Sequence, residues 1–209
     1  MKSKLSLKNK LTNLRKGKGR SHVVAVVGVA PGVGVTHSVL LMANCLRRQR
    51  LKVAVVELSG NRHLEAVEGS YEGKGFDASS TEAFVIKGVT YFKSVQRHQL
   101  MEVCQQHFDV VLLDIGTNLS PYLEDFQMAD YQFMVGRLID WKVQEIYAFA
   151  IRHSQWLNDR SKWLLPFAGK HEVKEFVNEG YGSGLGLGFL SDPFVRSTEI
   201  DNQVIQLFS

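Results

Sequence analysis

Short apolar runs alternate with longer amphipathic stretches along the chain from residue 23 onward. The runs are rich in Val, Ile and Leu, as is typical of strands that are buried on both faces of a parallel sheet. We therefore predict strands over residues 23–27, 53–58, 89–92, 110–113, 131–135, 163–167 and 185–190. The alternation predicts an α/β fold with three layers: a doubly wound, mostly parallel central sheet with helices on both faces.

The stretches between these runs contain the predicted helices. In residues 36–50, apolar side chains recur at helical spacing and arginines fill the last turn, where they suit the helix dipole. Further helices are predicted over residues 100–107, 141–158 and 198–208. Residues 71–80 are rich in Gly and Ser and predict a loop.

A glycine-rich turn joins the first predicted strand to the first predicted helix. It contains Gly28, Gly32 and Gly34 and ends at Thr36, in the segment VVGVAPGVGVTH. Backbone N–H groups in such a turn, together with a helix N-terminus, converge on one place, which is how proteins hold a phosphate group. The Thr36 hydroxyl then lies where it can coordinate Mg²⁺. The alternative is a tight turn that serves packing alone.

Positive charge is concentrated at the start of the chain. The first twenty residues contain eight Lys or Arg and no acid, so the overall net charge of +4 leaves −4 for residues 21–209. We predict a flexible basic arm over residues 1–20 and one domain over residues 21–209. Because Leu7, Leu11 and Leu14 recur at helical spacing, the arm is either a solvated tail or an amphipathic helix on an anionic membrane. A contact with nucleic acid is a third alternative, which the lack of aromatic residues in the arm disfavours.

The composition excludes several classes of protein. With 44% hydrophobic and 22% charged residues, the chain is neither wholly disordered nor collagen-like. Cys45 and Cys104 are too few for a disulfide framework or a zinc cluster, and no apolar run reaches the roughly 18 residues of a membrane-spanning helix. We therefore predict a cytoplasmic protein, although a basic start before a short apolar run can also be a secretory signal.

The glycine-rich turn and the strand ends resemble those of the MinD/ParA group of P-loop ATPases. That family's loop has the sequence KGGVGKT, whereas residues 30–37 here are APGVGVTH. Glu57 corresponds to a family Asp near the catalytic water and metal, Asp114 in FDVVLLDIG to the Walker B Asp, and Gly116 to the turn that senses the γ-phosphate. The resemblance covers roughly residues 21–209 and implies the P-loop NTPase fold.

The resemblance also implies a site for ATP and Mg²⁺. Its cofactor-binding residues are Gly28, Pro31, Gly32, Val33, Gly34, Val35, Thr36, His37 and Gly116. Thr36 and Asp114 are the implied Mg²⁺ ligands, and Glu57 and Asp114 occupy catalytic positions. His37 is either a donor to phosphate or an ordinary surface histidine.

Both family lysines are missing from the turn, where Ala30 and Val35 take their places. The second lysine normally bridges phosphates and stabilises the charge that develops during phosphoryl transfer. We therefore expect a degenerate Walker A motif, weak ATP binding, and weak or absent hydrolysis.

Within the group, the turn and the single small domain most resemble the TadZ/CpaE branch, which localises the assembly machinery of Flp-type (tad) pili. This resemblance implies a homodimer with protein partners in a membrane-associated assembly, at the inner face of the membrane. Two alternatives are an active ParA-like ATPase in DNA partitioning and a capsule-type tyrosine-kinase-like regulator. The absence of a Tyr-rich tail disfavours the kinase.

Overall fold

One sheet of eight strands organises the part of the chain that the computed structural model describes, which is residues 11, 14, 20–73 and 76–208. The strand order is β3-β4-β2-β5-β1-β6-β7-β8. Neighbouring strands are parallel except β3 and β4, which form an antiparallel hairpin at one edge. The strands are β1 (His22–Gly28), β2 (Val53–Glu57), β3 (Ala83–Ile86), β4 (Val89–Phe92), β5 (Val110–Gly116), β6 (Tyr131–Val135), β7 (Ser161–Pro166) and β8 (Gly184–Leu187).

Helices cover both faces of this sheet. They are α1 (Val35–Arg48), α2 (His63–Glu72), α3 (Arg97–Gln105), α4 (Leu123–Met128), α5 (Val143–Arg152), α6 (Lys170–Asn178) and α7 (Thr198–Leu207). Because side chains alternate along a strand, Val24 and Val26 pack in the cluster with α1, α2 and α7, whereas Ala25 and Val27 pack with α3 to α6. The predicted three-layer, doubly wound architecture is therefore confirmed.

The predicted elements are present, with some differences in number and length. All seven predicted strands are found, and β3 is an additional strand that pairs with β4 through a turn at Lys87 and Gly88. Helices α2, α4 and α6 were not predicted, and α2 extends into the start of the predicted loop at residues 71–80.

The helix predicted over residues 141–158 is shorter in the structure, where α5 spans Val143–Arg152. Beyond its end, the Ser154 hydroxyl donates to the Ile151 carbonyl at 3.1 Å, and the Ser161 hydroxyl accepts from the Asn158 N–H at 3.2 Å. Polar side chains that bond to local backbone groups in this way compete with the helix ladder, so the helix stops early.

Most of the predicted basic arm lies outside the described residues. Its two described leucines, Leu11 and Leu14, are only 4% and 1% exposed and belong to the cluster with α1 and α7. At the end of the arm, Arg20 donates to the Asp130 carboxylate at 2.9 Å. Two of the three leucines that define the arm's apolar face are thus packed against the domain.

Neither cysteine is in a disulfide: Cys45 is buried and Cys104 is partly buried, and both are free. Within the described ranges, no helix combines the length and the hydropathy that crossing a bilayer requires.

Candidate functional site

The glycine-rich turn lies at the carboxyl end of β1, flanked by the ends of β5 and β6. Gly34 has a φ of +103°, which L side chains rarely adopt, and it precedes α1 without any side-chain cap. The first N–H groups of an α-helix have no partner within the helix, so the start of α1 offers donors at the end of the turn. The backbone of the turn therefore has the form of an anion-binding loop.

A cavity of about 420 Å³ lies beside the turn. It is lined by Ala30, Pro31, Gly32, Gly34, Val35, Thr36, His37, Asn61, His63, Gly116 and Thr117. Seven of the nine residues predicted to bind the cofactor are in this lining, while Gly28 and Val33 are buried outside it. No Lys or Arg is among these lining residues, so the walls described here carry no permanent positive charge.

Val35 fills the end of β1 with an apolar side chain where the resemblance places a lysine. The residue is 7% exposed. A Cβ added to Gly28 would lie 2.5 Å from Val35 Cγ2 and 2.9 Å from Val33 Cγ2, so only glycine fits beneath the two valines. Ala30, at the other lysine position, is also buried. Both lysine positions are thus occupied by packed apolar residues.

Thr36 connects the turn to the ends of β5 and α2. Its hydroxyl donates to Asp114 Oδ2 at 2.6 Å, and its oxygen lies 3.0 Å from His63 Nδ1. Asp114 Oδ1 accepts from the Gly116 N–H at 3.1 Å. The predicted metal ligands Thr36 and Asp114 are therefore in direct contact, and His63 is a third member that the sequence did not reveal.

Glu57 is completely buried next to Asp114, its parallel partner in the register of β2 and β5. Its Oε1 accepts from the His63 N–H at 2.7 Å and from the Ser59 hydroxyl at 3.3 Å. Its Oε2 is buried without a hydrogen-bond partner among the described residues. Glu57 does not line the cavity; it holds the start of α2, and thereby positions His63 against Thr36.

His37 is half-buried rather than a surface histidine. Its ring stacks on Phe189, with the centroids 5.0 Å apart. Burial lowers the pKa of His37, and a hydrogen bond with the backbone of Leu190 opposes that shift. The Nε2 atom is buried and has no hydrogen-bond partner in the described part of the chain. His37 therefore joins the cavity to the segment that follows β8.

Comparison with known proteins identifies this architecture. No protein-family model and no curated protein matches the chain. Among solved structures, a plasmid partition protein from Borrelia burgdorferi bound to AMPPNP superposes with a TM-score of 0.67 at 11% identity, over 90% of this chain and 98% of that one. MinD from Aquifex aeolicus gives a TM-score of 0.63 at 10% identity, over 89% of this chain and 95% of that one. A ParA family ATPase from Chlorobium tepidum gives a TM-score of 0.61 at 11% identity, over 90% of this chain and 98% of that one.

The chain has the P-loop NTPase fold of the MinD and ParA proteins. This MinD/ParA-type fold is the one that the resemblance implied. At 10–11% identity the solved structures show the fold alone, so the TadZ/CpaE branch stays a prediction. By its place in this fold, the turn at residues 28–36 corresponds to the P-loop and is called so below, and Asp114 occupies the end of β5, the strand that pairs with β1.

Asp114 is buried at the base of the P-loop. Burial raises its pKa from the usual 3.8 to about 6, and the neighbouring Glu57 carboxylate adds to the rise. The hydrogen bonds from Thr36 and Gly116, and the charge of His63, oppose it. At neutral pH, where Asp114 is ionised, the folded protein is therefore less stable than it would be with a neutral side chain at this position.

This shift predicts how Asp114→Asn changes stability with pH. Because the folded-state pKa exceeds the unfolded-state value, the stabilisation from the protonated carboxyl is complete below about pH 4 and is lost as the pH rises through 6. Asn has no charge to bury, which relieves roughly 3 kcal/mol, but it accepts weaker hydrogen bonds. We expect the variant to be about 1 kcal/mol more stable than wild type at pH 7.5 and less stable at pH 4.

Urea unfolding at the two pH values, without Mg²⁺, measures this difference. Asp159→Asn, in an exposed turn, is the matched control and should change stability little at either pH. An Asp114→Asn variant that loses the same stability at both pH values would contradict the prediction.

Proposed function

We propose that this protein is a MinD/ParA-like positioning or assembly protein with a degenerate nucleotide site. One observation carries the proposal. The P-loop keeps its backbone form and its Thr36–Asp114 contact of 2.6 Å, while both lysine positions are buried apolar residues. Such a site can hold phosphate through backbone donors and a metal through oxygen ligands, without the cations that speed transfer.

The donor set suits Mg²⁺. Thr36 and Asp114 offer hard oxygen ligands, and Mg²⁺ in such sites takes its other ligands from water and phosphate. Among the described residues, no group of three His, Cys, Asp or Glu side chains could hold a metal. We therefore expect Mg²⁺ to enter with the nucleotide, where it would neutralise phosphate charge.

Energetics favour weak binding. A hydrogen bond to a charged group contributes roughly 1.5–3 kcal/mol, so the loss of one lysine alone weakens affinity by about 10- to 100-fold. The missing ammonium also removes stabilisation of the charge that develops during transfer, so hydrolysis should be slow or absent. The nucleotide would act as a structural or regulatory ligand.

We further propose that the protein acts as a homodimer through protein contacts, in an assembly such as the Flp/tad pilus. A second similar structure is the MinC:MinD complex from Aquifex aeolicus, which supports a role in protein binding for this fold. Trp141, 76% exposed just before α5, is the kind of residue that dominates protein interfaces.

Calorimetric titration with Mg-ATP and Mg-ADP, on the wild type and on Val35→Lys, tests the proposed site. The same samples in light scattering test the dimer. A monomer at micromolar concentration, with and without Mg-ATP, would contradict dimerisation. Tight binding by the wild type would contradict the degenerate site.

The positive charge of the basic arm, residues 1–20, supports the proposal that this segment contacts an anionic membrane. Because Leu11 and Leu14 are packed in the domain, the arm's charge rather than its apolar face should carry this contact. Each lysine near an anionic surface contributes about 1 kcal/mol, so Lys8→Gln with Lys10→Gln should weaken binding to phosphatidylglycerol vesicles about 30-fold.

Vesicle co-sedimentation of the full chain measures this effect, with phosphatidylcholine vesicles as the neutral comparison. Lys170→Gln with Lys174→Gln, on α6, is the control pair. The membrane contact is contradicted if the wild-type protein does not sediment with anionic vesicles. If that protein also binds random duplex DNA, with an affinity that falls steeply with salt, the result would support the alternative of a ParA-like partition ATPase.

A further inference from the structure

Two buried carboxylates lie side by side at the base of the P-loop. Glu57 and Asp114 are both completely buried and are partners in the register of β2 and β5. In the described part of the chain, neither forms an ion pair with Lys or Arg, and Glu57 Oε2 has no hydrogen-bond partner. Buried carboxylates in proteins are usually paired with a cation or coordinate a metal. This concentration of negative charge therefore points to a cation that binds beside it.

Three potential ligand atoms meet next to this charge, and each comes from a different element. Thr36 Oγ1, at the start of α1, lies 2.6 Å from Asp114 Oδ2 and 3.0 Å from His63 Nδ1. Adjacent ligands around an octahedral metal are about 3.0 Å apart when each is about 2.1 Å from the ion. The hydrogen bonds of this cluster thus have nearly the spacing of a metal shell, so the backbone need not move for these atoms to become ligands.

His63 is the first residue of α2, and the main chain brings it to Thr36. Glu57 Oε1 accepts from the His63 N–H at 2.7 Å, which fixes the start of the helix against the end of β2. The residue is thereby held in place before any ion binds, so less conformational freedom is lost on binding. His63 is also exposed and lines the cavity beside the turn, where an ion from solvent reaches it. It is therefore both fixed and accessible, as a metal ligand must be.

We propose that His63 is a nitrogen ligand in the metal site of Thr36 and Asp114, and that it gives this site a preference for a divalent transition metal over Mg²⁺. The ions concerned are those with affinity for imidazole, from Fe²⁺ to Zn²⁺, whereas Mg²⁺ prefers oxygen ligands. A neutral imidazole that coordinates through Nδ1 carries its proton on Nε2, so the ion replaces the hydrogen bond between His63 and Thr36. The assignment rests on the proposed nucleotide site, where water and phosphate would complete the shell.

The test measures Co²⁺ binding to the full chain, without a histidine tag or nucleotide, by calorimetry and visible absorption, with Mg²⁺ as the competitor. We expect wild type to prefer Co²⁺ and His63→Asn to reduce that preference about tenfold or more, since losing even an outer-shell partner costs about 10- to 100-fold in metal affinity. The Asn amide can still form a hydrogen bond with Thr36. Asp114→Asn, which removes an oxygen ligand, should weaken binding of both ions. His98→Asn, at an exposed position on α3, is the matched control and should change neither affinity.

The preference separates a ligand from a residue that only positions Thr36. If His63→Asn leaves the ratio of the two affinities unchanged, whether both stay or both fall, the inference is overturned. It is also overturned if wild type binds no Co²⁺ at millimolar concentration, or if Co²⁺ binding survives Asp114→Asn and so lies elsewhere. Thermal unfolding confirms that each variant is folded.

Titration of the same samples with Mg-ATP distinguishes this inference from the proposed function. Wild-type protein that binds Mg-ATP without preferring Co²⁺ overturns the inference and leaves the proposed function standing. A Co²⁺ site that depends on His63, in a chain that binds no ATP, supports the metal assignment and contradicts the nucleotide site. A chain that binds neither Co²⁺ nor Mg-ATP overturns both.

Discussion

Mg-ATP is expected to bind Val35→Lys about 10- to 100-fold more tightly than it binds the wild-type protein, since a hydrogen bond to a charged group contributes roughly 1.5–3 kcal/mol. The valine side chain already packs over the end of β1, against Gly28. The stem of a lysine can follow the same path and carry its ammonium to the cavity, which lacks Lys and Arg in its described lining. Because Thr36 and Asp114 are already in contact, the substitution should need no other rearrangement of the P-loop.

Val35→Met is the matched control for this prediction. It adds an apolar stem of similar length without the ammonium, so a gain seen only with lysine would be electrostatic. Titration calorimetry with Mg-ATP gives the three dissociation constants, and thermal unfolding confirms that each variant is folded. Equal affinities of the Lys and Met variants would show that the P-loop does not place phosphate near residue 35.

Gly28→Ala is expected to lower the free energy of unfolding by about 2–3 kcal/mol, at the upper end of what overpacking a core costs. The added Cβ would lie 2.5 Å from Val35 Cγ2 and 2.9 Å from Val33 Cγ2. Both valines are buried, and β-branched side chains have few alternative rotamers, so neither can turn aside. Urea unfolding of the purified variant measures the loss.

A double-mutant cycle with Val35→Ala locates the cause. Removing the methyl groups of Val35 opens room for the new Cβ. The free energy of unfolding of the double variant should therefore be at least 1 kcal/mol higher than the value obtained by adding the losses of the two single variants. Gly69→Ala is the control, because a Cβ at that position in α2 meets nothing within 4 Å and alanine favours the helix. Additive effects of the Gly28 and Val35 substitutions would refute the steric explanation.

The strands and the P-loop could be predicted because both depend on local patterns. Buried parallel strands are continuous apolar runs, and the turn between β1 and α1 is marked by its glycines. The order of these elements then placed Thr36 and Asp114 at one sheet edge, where they are 2.6 Å apart. What the pattern did not show is that the valine replacing a lysine would become a packed residue of the core.

The other parts of the site depend on contacts between distant segments. His63 reaches Thr36 only because Glu57 holds its backbone N–H, and no residue spacing indicates that contact. The stacked rings of Phe167, Phe189 and His37 likewise join the segments that follow β7 and β8 to the start of α1. Helix α6 did have a local signal, since the Glu172 side chain accepts from the Gly169 N–H at 2.6 Å in a capping arrangement.

The contact between Thr36 and His63 has a consequence for the direction of hydrogen bonding. A threonine hydroxyl has a single proton, and Thr36 gives it to Asp114. His63 must therefore be the donor to Thr36, through a proton on Nδ1. That proton is committed to the threonine, so a phosphate oxygen can meet the ring only at Nε2. The histidine in contact with the P-loop threonine thus has one nitrogen, at most, with which to take over the task of the missing lysine while that contact lasts.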